Sequence, residues 1–188
     1  MTPRRSPLAV LVLALLAEAP MHPYRMQQVI KERAQDTLVN VAQRNSVYQT
    51  LDRLVRDGLA TPALTARDTG RPERTVYEIT ETGHATLHGW LTTMLSTPPR
   101  EFPEFPVALA LIALLEPPQV ADLLAARIEA LEAAQAAKPP APDLPRLFLI
   151  EEEYKDALTA TELAWLRRVV AELRDGTLTW NRADLAPA

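Results

Sequence analysis

Cysteine is absent from this chain of 188 residues, and histidine occurs only three times. The sequence therefore offers no disulfide bond, no thiolate metal site and no cysteine nucleophile, and too few ligands for a histidine-rich metal centre. The lack of cysteine agrees with a reducing cytoplasm, although exported proteins can also lack it. None of the five glycines belongs to a phosphate-binding loop. No apolar run reaches the roughly 20 residues that cross a bilayer.

The charge of the chain differs between its two halves. The net charge is −4, and hydrophobic residues make up 47% of the sequence, which is ordinary for a globular protein of one or two domains. Residues 1–95 contain 11 Lys and Arg and 9 Asp and Glu, whereas residues 96–188 contain 9 and 15. Two parts with different tasks are therefore expected, but the slightly basic first half alone is weak support for nucleic-acid binding.

The stretch RRSPLAVLVLALLAEAP at residues 4–20 allows two interpretations. Two arginines, the apolar run at residues 8–17 and the triplet Ala17-Glu18-Ala19 are typical of a secretory signal peptide. A helix that is apolar on all sides and buried at the centre of a domain would have the same composition. The residues that follow must decide between the two.

Apolar residues at helical spacing predict two further helices. One begins at Pro23, a residue suited to the first helical position, and continues to about Ala34. The other has an apolar face and ends at Gly58, which is expected at the C′ position. That face consists of Val47, Leu51, Leu54 and Val55.

The sequence period then changes to two and predicts a β-hairpin. Its strands are expected at residues 59–64 and 75–80, joined by a basic tip that contains Gly70-Arg71-Pro72. Pro62 favours an edge position for the first strand because proline cannot donate a backbone hydrogen bond. Thr80 is expected to cap a fourth helix at about residues 81–95.

The order of three helices, a hairpin with a basic tip and a fourth helix is that of a winged helix-turn-helix domain. In such a domain the third helix enters the major groove and the hairpin contacts the neighbouring backbone or minor groove. The first helix is buried by the others, and cleavage after Ala19 would remove it. We therefore interpret residues 8–17 as a core helix rather than a signal peptide.

The second half of the chain is predicted to be helical. Residues 96–106 are proline-rich and are expected to link a winged-helix domain at 1–95 to a helical domain at 107–182, with 183–188 as a disordered tail. Helices are expected at about 104–115, after Pro117-Pro118, and from about Leu144 to Asp175, with Gly176 as the stop. Because these helices are apolar and extended, burial against a second copy is favoured over an intramolecular bundle. The fold class is mainly α with a small β-hairpin wing.

Several motifs are shared with one known family. They are the apolar first helix, His22-Pro23-Tyr24 with Met26, residues 46–54, Asp57-Gly58-Leu59, Gly70-Arg71-Pro72, residues 76–80, Gly83, and residues 162–166 with Gly176-Thr177-Leu178. In these motifs the chain resembles the PadR family of bacterial transcriptional regulators. Pro23 and Asn45 depart from it, since glycine is common at both places. The resemblance implies a helical dimerisation domain and a response to small aromatic or phenolic compounds or to drugs.

The candidate DNA contacts lie on the third helix and the hairpin. The start of the helix reaches base edges most easily, so base contacts are expected from Arg44, Asn45, Ser46 and Gln49. Backbone contacts are expected from Tyr24, Tyr48, Arg53, Arg67, Arg71 and Arg74. The alternatives are a solvated helix face, ordinary loop charge and tyrosines that serve packing.

The remaining candidates are weaker. Four aromatic side chains could line an effector pocket or simply pack in the core: Trp90, Phe148, Tyr154 and Trp165. His84 and His88 have a spacing that can hold zinc, but no further ligands complete a site. The run Glu151-Glu152-Glu153 is interpreted as surface charge. We expect no catalytic residues, no metal and no cofactor, and hence no enzyme.

These features predict a cytoplasmic, homodimeric transcriptional regulator, most simply a repressor. A twofold dimer would place two recognition helices about 34 Å apart on a pseudo-palindromic operator. A small-molecule effector would release the DNA by changing that spacing. The alternative is a ligand-sensing or partner-binding protein whose winged helix does not bind DNA.

Overall fold

A computed structural model describes residues 4–39, 46–63, 75–139 and 143–181. The chain divides into two compact units, Met1–Arg100 and Glu101–Ala188, each with its own hydrophobic core. The described helices and strands of the first unit are α1 (Pro7–Glu18), α2 (Pro23–Glu32), α3 (Ser46–Arg56), β1 (Ala60–Ala63), β2 (Val76–Ile79) and α4 (Glu81–Ser96). Those of the second unit are α5 (Glu104–Ala110), α6 (Pro117–Ala136) and α7 (Ile150–Asp175).

Helix α1 is the centre of the first core, which confirms its interpretation as a core helix. Ser6 caps the helix by accepting a hydrogen bond from the backbone N–H of Ala9 (3.2 Å), and Pro7 occupies the first turn. Six of its twelve residues are buried, on more than one side: Ala9, Val10, Val12, Leu13, Leu15 and Leu16. Burial of this size is the main favourable contribution to the stability of the unit.

Helices α2 and α3 begin and end on local signals. Pro23 begins α2, as predicted, but the helix ends at Glu32 because Ala34 adopts a left-handed conformation with φ of +53°. Helix α3 ends in a Schellman motif, with Gly58 at φ of +72° and the Leu59 N–H donating to the Leu54 carbonyl (2.8 Å). The prediction for Gly58 is thereby confirmed.

The hairpin pairs β1 with β2 in antiparallel register, with Ala60 opposite Ile79 and Pro62 opposite Tyr77. On the other side of β2, Met21 and Tyr77 exchange two backbone hydrogen bonds of 3.0 and 3.1 Å. In the described part of the sheet, β1 is thus an edge strand, as Pro62 predicted.

The second core lies between α6 and α7. Val120, Ala121 and Leu124 of α6 face Leu166, Val169, Val170 and Leu173 of α7. Gly176 ends α7 at φ of +80°, as predicted. Charged pairs flank the contact, including Arg127 with Glu162 (2.7 Å) and Arg167 with Glu132 (2.5 Å).

Two predicted helices are shorter in the structure. The helix expected from Leu144 begins only at Ile150, because the chain first forms a 3₁₀ turn at Arg146–Phe148 and Leu149 is the N-cap of α7. The helix expected at 104–115 ends at Ala110 and continues as a 3₁₀ turn at Ile112–Leu114. Pro145 precedes this first 3₁₀ turn with a ψ of 141°, which lies outside the helical range.

In the described parts of the chain, no helix is both long enough and apolar enough to cross a membrane.

Candidate nucleic-acid interface

Helix α3 has one buried face and one exposed face, as its sequence period predicts. Val47, Leu51 and Leu54 are at most 1% exposed and belong to the first core. The opposite side presents Tyr48, Gln49, Asp52 and Arg56 to solvent. A helix anchored by one apolar face and polar on the other can lie in the major groove without losing its packing.

The end of α3 is connected to the start of α4 by Thr80. Its hydroxyl donates to the Gly58 carbonyl (2.7 Å) and accepts from the Gly83 N–H (2.9 Å), so Thr80 is the predicted N-cap of α4. Its backbone N–H donates to the Leu59 carbonyl (3.1 Å). These three hydrogen bonds fix the hairpin and α4 relative to the end of α3.

The predicted base contacts are only partly described. Gln49 is exposed on the first turns of α3, and Ser46 is half-buried at its start. Both positions agree with a helix that presents its N-terminal residues to a groove. Arg44 and Asn45 lie outside the described residues.

Of the six predicted backbone contacts, Arg53 and two tyrosines belong to the described residues, and three arginines do not. Tyr24 and Tyr48 are 56% and 43% exposed, so both residues are partly open to solvent. Arg67, Arg71 and Arg74 belong to the hairpin tip, outside the described residues.

Arg53 has a partner that the sequence period does not indicate. Its Nη2 donates to the Ser6 Oγ (3.1 Å), and its Nε is buried with no hydrogen-bond partner among the described residues. Ser6 therefore connects α1 to α3 as well as capping α1. This contact joins residues 47 positions apart, so no local pattern could have identified it.

Two other arginines of the first unit are neutralised by carboxylates. Arg25 pairs with Glu32 (2.8 Å), and Arg33 forms a bidentate ion pair with Glu18 (2.6 and 2.7 Å). The hydrogen bonds from Arg33 hold the pKa of Glu18 below its ordinary value. These two arginines are thus engaged on the protein surface.

The four aromatic candidates for an effector pocket lie in different environments. Trp90 packs against the first core, and Trp165 packs against the second, with its ring edge-on to Phe105 at 6.4 Å. Phe148 and Tyr154 are each 65% exposed. A shared aromatic pocket stays a prediction.

The candidates for metal or acid–base chemistry are surface groups. His84 and His88 are both exposed on α4, and the described residues contain no cluster of three or more metal-ligating side chains. Each carboxylate of the glutamate run has a cation partner: Glu151 and Glu152 pair with Lys155, and Glu153 pairs with Arg146 (2.8 Å). The Arg146 guanidinium lowers the pKa of Glu153, so this group is held charged.

Comparison with known structures supports the fold assignment. Bacillus subtilis PadR in complex with operator DNA is 22% identical and has a TM-score of 0.62, over 88% of this chain and 98% of that one. The same protein in complex with p-coumaric acid gives 20% identity and a TM-score of 0.63, over 90% and 99%. The Vibrio cholerae virulence activator AphA gives 19% and 0.57, over 89% and 98%. At these identities the likeness shows a shared fold.

Sequence comparison gives the family. No curated protein matches the chain, but a model of the transcriptional regulator PadR-like family matches residues 12–89, from the middle of α1 to the middle of α4. That family consists of transcriptional regulators rather than enzymes. The chain therefore carries a domain of the PadR-like family of transcriptional regulators over residues 12–89.

Proposed function

We propose that this protein binds a pseudo-palindromic operator as a homodimer and represses transcription in the cytoplasm until a small molecule releases it. The observation that carries the proposal is that helix α3 has one buried face and one exposed face. Three apolar side chains fix the helix in the core, and Gln49 and its neighbours lie on the exposed face. One α3 from each protomer would enter successive major grooves about 34 Å apart.

The homodimer is supported by apolar surface on the second unit. Several large side chains there are more than half exposed, including Phe102 (78%), Leu147 (75%), Phe148, Ile150 and Tyr154. Isolated exposed apolar residues are common, but so many on a unit of this size favour burial in an interface. Ile150, Tyr154 and Leu158 recur every four residues and so lie along one side of α7.

Release by a small aromatic compound is supported only by structural similarity to a known regulator. Bacillus subtilis PadR has been solved with p-coumaric acid and has the same fold. The aromatic candidates for such a pocket are Trp90, Phe148, Tyr154 and Trp165. A melting screen of the full-length protein against phenolic acids would test it, with a rise in Tm expected for a ligand of the folded state.

The decisive experiment is selection of duplexes from a random pool by the full-length protein, followed by sedimentation of the complex. We expect an enriched inverted repeat with one homodimer bound. Enrichment of no sequence, with no salt-dependent affinity for any duplex, would contradict the proposal and favour a sensor or partner-binding protein that does not use DNA.

A further inference from the structure

Two arginines lie immediately before the residue that joins α1 to the recognition helix. Arg4 and Arg5 precede Ser6, whose hydroxyl both caps α1 and accepts the hydrogen bond from Arg53 of α3. Consecutive Cα atoms are about 3.8 Å apart, so Arg5 is one residue and Arg4 two residues from this contact. We call residues 4–6 the N-terminal arm.

The arm presents positive charge that no carboxylate neutralises within the described chain. Arg4 and Arg5 are both exposed and form no ion pair there, whereas Arg25 and Arg33 of the same unit are both paired. Unpaired guanidinium groups bind phosphate oxygens through two parallel hydrogen bonds. The arm is therefore suited to an anionic ligand beside α3.

Arg53 is turned toward the arm rather than outward. Its Nη2 is engaged by Ser6, and its Nε is buried. A side chain held in this way fixes the distance between the arm and α3. An arm that is already ordered loses less conformational entropy on binding than a free chain end does.

We propose that the Ser6–Arg53 hydrogen bond holds the N-terminal arm beside the recognition helix, and that Arg4 and Arg5 bind DNA phosphates there. Arg53 and Ser6 are positioning residues in this arrangement. The proposal rests on the proposed DNA-binding function. It adds a backbone contact that is independent of the hairpin tip.

The charge of the arm is tested by salt dependence. Affinity of the full-length protein for the enriched duplex is measured at several salt concentrations. Arg4→Gln with Arg5→Gln should flatten the slope of log K against log salt by about 0.9 for each phosphate that the variant no longer neutralises. The control is Arg168→Gln with Arg174→Gln, which removes the same formal charge from α7, where Arg168 lies 3.9 Å from Glu172. An unchanged slope in the arm variant, or an equal change in the control, overturns the proposal.

The positioning role of Ser6 is tested by combining substitutions at Ser6 with the two arm substitutions. Ser6→Ala should weaken binding and should also reduce the effect of the two arm substitutions, because a detached arm no longer places its guanidinium groups. Ser6→Thr keeps a hydroxyl and should restore both. A merely structural Ser6 would weaken binding equally with and without the arm arginines, and that result overturns the anchoring role.

The failure of this inference can be separated from that of the proposed function. If the wild-type protein enriches a duplex and the arm variants bind it with wild-type affinity and salt slope, the proposed DNA contact of the arm is wrong. The proposed DNA-binding function is then still supported. If the wild-type protein binds no duplex, the proposed function fails, and the arm proposal fails with it.

Discussion

Gly83 of α4 lies so close to Leu59 that a Cβ at this position would overlap with the Leu59 carbonyl oxygen. The same Cβ would also lie 2.7 Å from Cγ1 of Ile79. Both neighbours belong to the segment between α3 and α4, where backbone cannot easily move. Glycine at 83 therefore allows the start of α4 to pack against the hairpin.

Gly83→Ala should destabilise the protein by about 3 kcal/mol, the upper part of the range for overpacking. The control is Gly89→Ala on the same helix, where a Cβ would meet no atom within 4 Å. There the substitution should stabilise by about 0.5–1 kcal/mol, since alanine favours helix. Urea unfolding of the full-length variants measures both. Equal effects would contradict the close approach.

Thr80→Ala should destabilise the first unit by about 1–2 kcal/mol. The substitution removes the cap of α4 and the hydrogen bond to the Gly58 carbonyl. Thr80→Ser keeps both and should have a much smaller effect. Thr93→Ala is the control, because its hydroxyl donates only to the carbonyl of Gly89 one turn earlier and should change stability little. Urea midpoints compare the three, and a Thr80→Ala value within error of the Thr93→Ala value would exclude the connecting role.

Local signals explain why much of the fold could be predicted from sequence. Pro23, Gly58, Thr80 and Gly176 each mark a helix end through their own backbone or side-chain chemistry, and each does so in the structure. The exposed position of Gln49 follows from helical period alone.

Contacts between distant residues could not be predicted in this way. Arg53 shares a helix with the candidate DNA contacts, but its partner Ser6 is brought close only by the packing of α1 on α3. Ala34 gives no signal for its left-handed backbone, which asparagine or glycine would have given.

Ala34→Gly should raise stability by up to about 1 kcal/mol. The left-handed conformation destabilises a residue that has a Cβ by about 1–2 kcal/mol, and glycine removes this cost. Part of the gain in stability is lost because glycine gives the unfolded chain more conformational entropy. Thermal unfolding gives the comparison. The control is Ala17→Gly at an exposed position of α1, which should be destabilising. A loss of stability at position 34 would mean that its backbone is not left-handed in solution.

The pair of Glu18 with Arg33 should make stability fall at acid pH. Since the pKa of Glu18 is lowered in the folded state, its contribution is present above the unfolded pKa of about 4.5. It is lost as pH falls through the lower folded value. Glu18→Gln should therefore weaken the pH dependence below about pH 4.5 and cost at most about 1 kcal/mol at neutral pH, because the pair is exposed.

The measurement for this pair is urea unfolding between pH 3 and 7. Glu78→Gln removes a carboxylate that forms no ion pair among the described residues, and so shows the effect of lost charge alone. An identical pH dependence for Glu18→Gln and wild type would show that the pair does not persist in solution.

Gln49→Ala and Arg71→Ala should affect DNA binding in different ways if α3 reads bases and the hairpin tip binds phosphates. A glutamine side chain can form two hydrogen bonds with adenine, so its loss should cost about 1–3 kcal/mol on the preferred duplex and little on a duplex with that base pair changed. Loss of the Arg71 guanidinium should weaken binding to both duplexes alike and flatten the salt slope by about one. Fluorescence anisotropy with the enriched duplex and its single-base variants separates the two patterns. If Gln49→Ala weakened every duplex equally, α3 would hold the backbone rather than select the sequence.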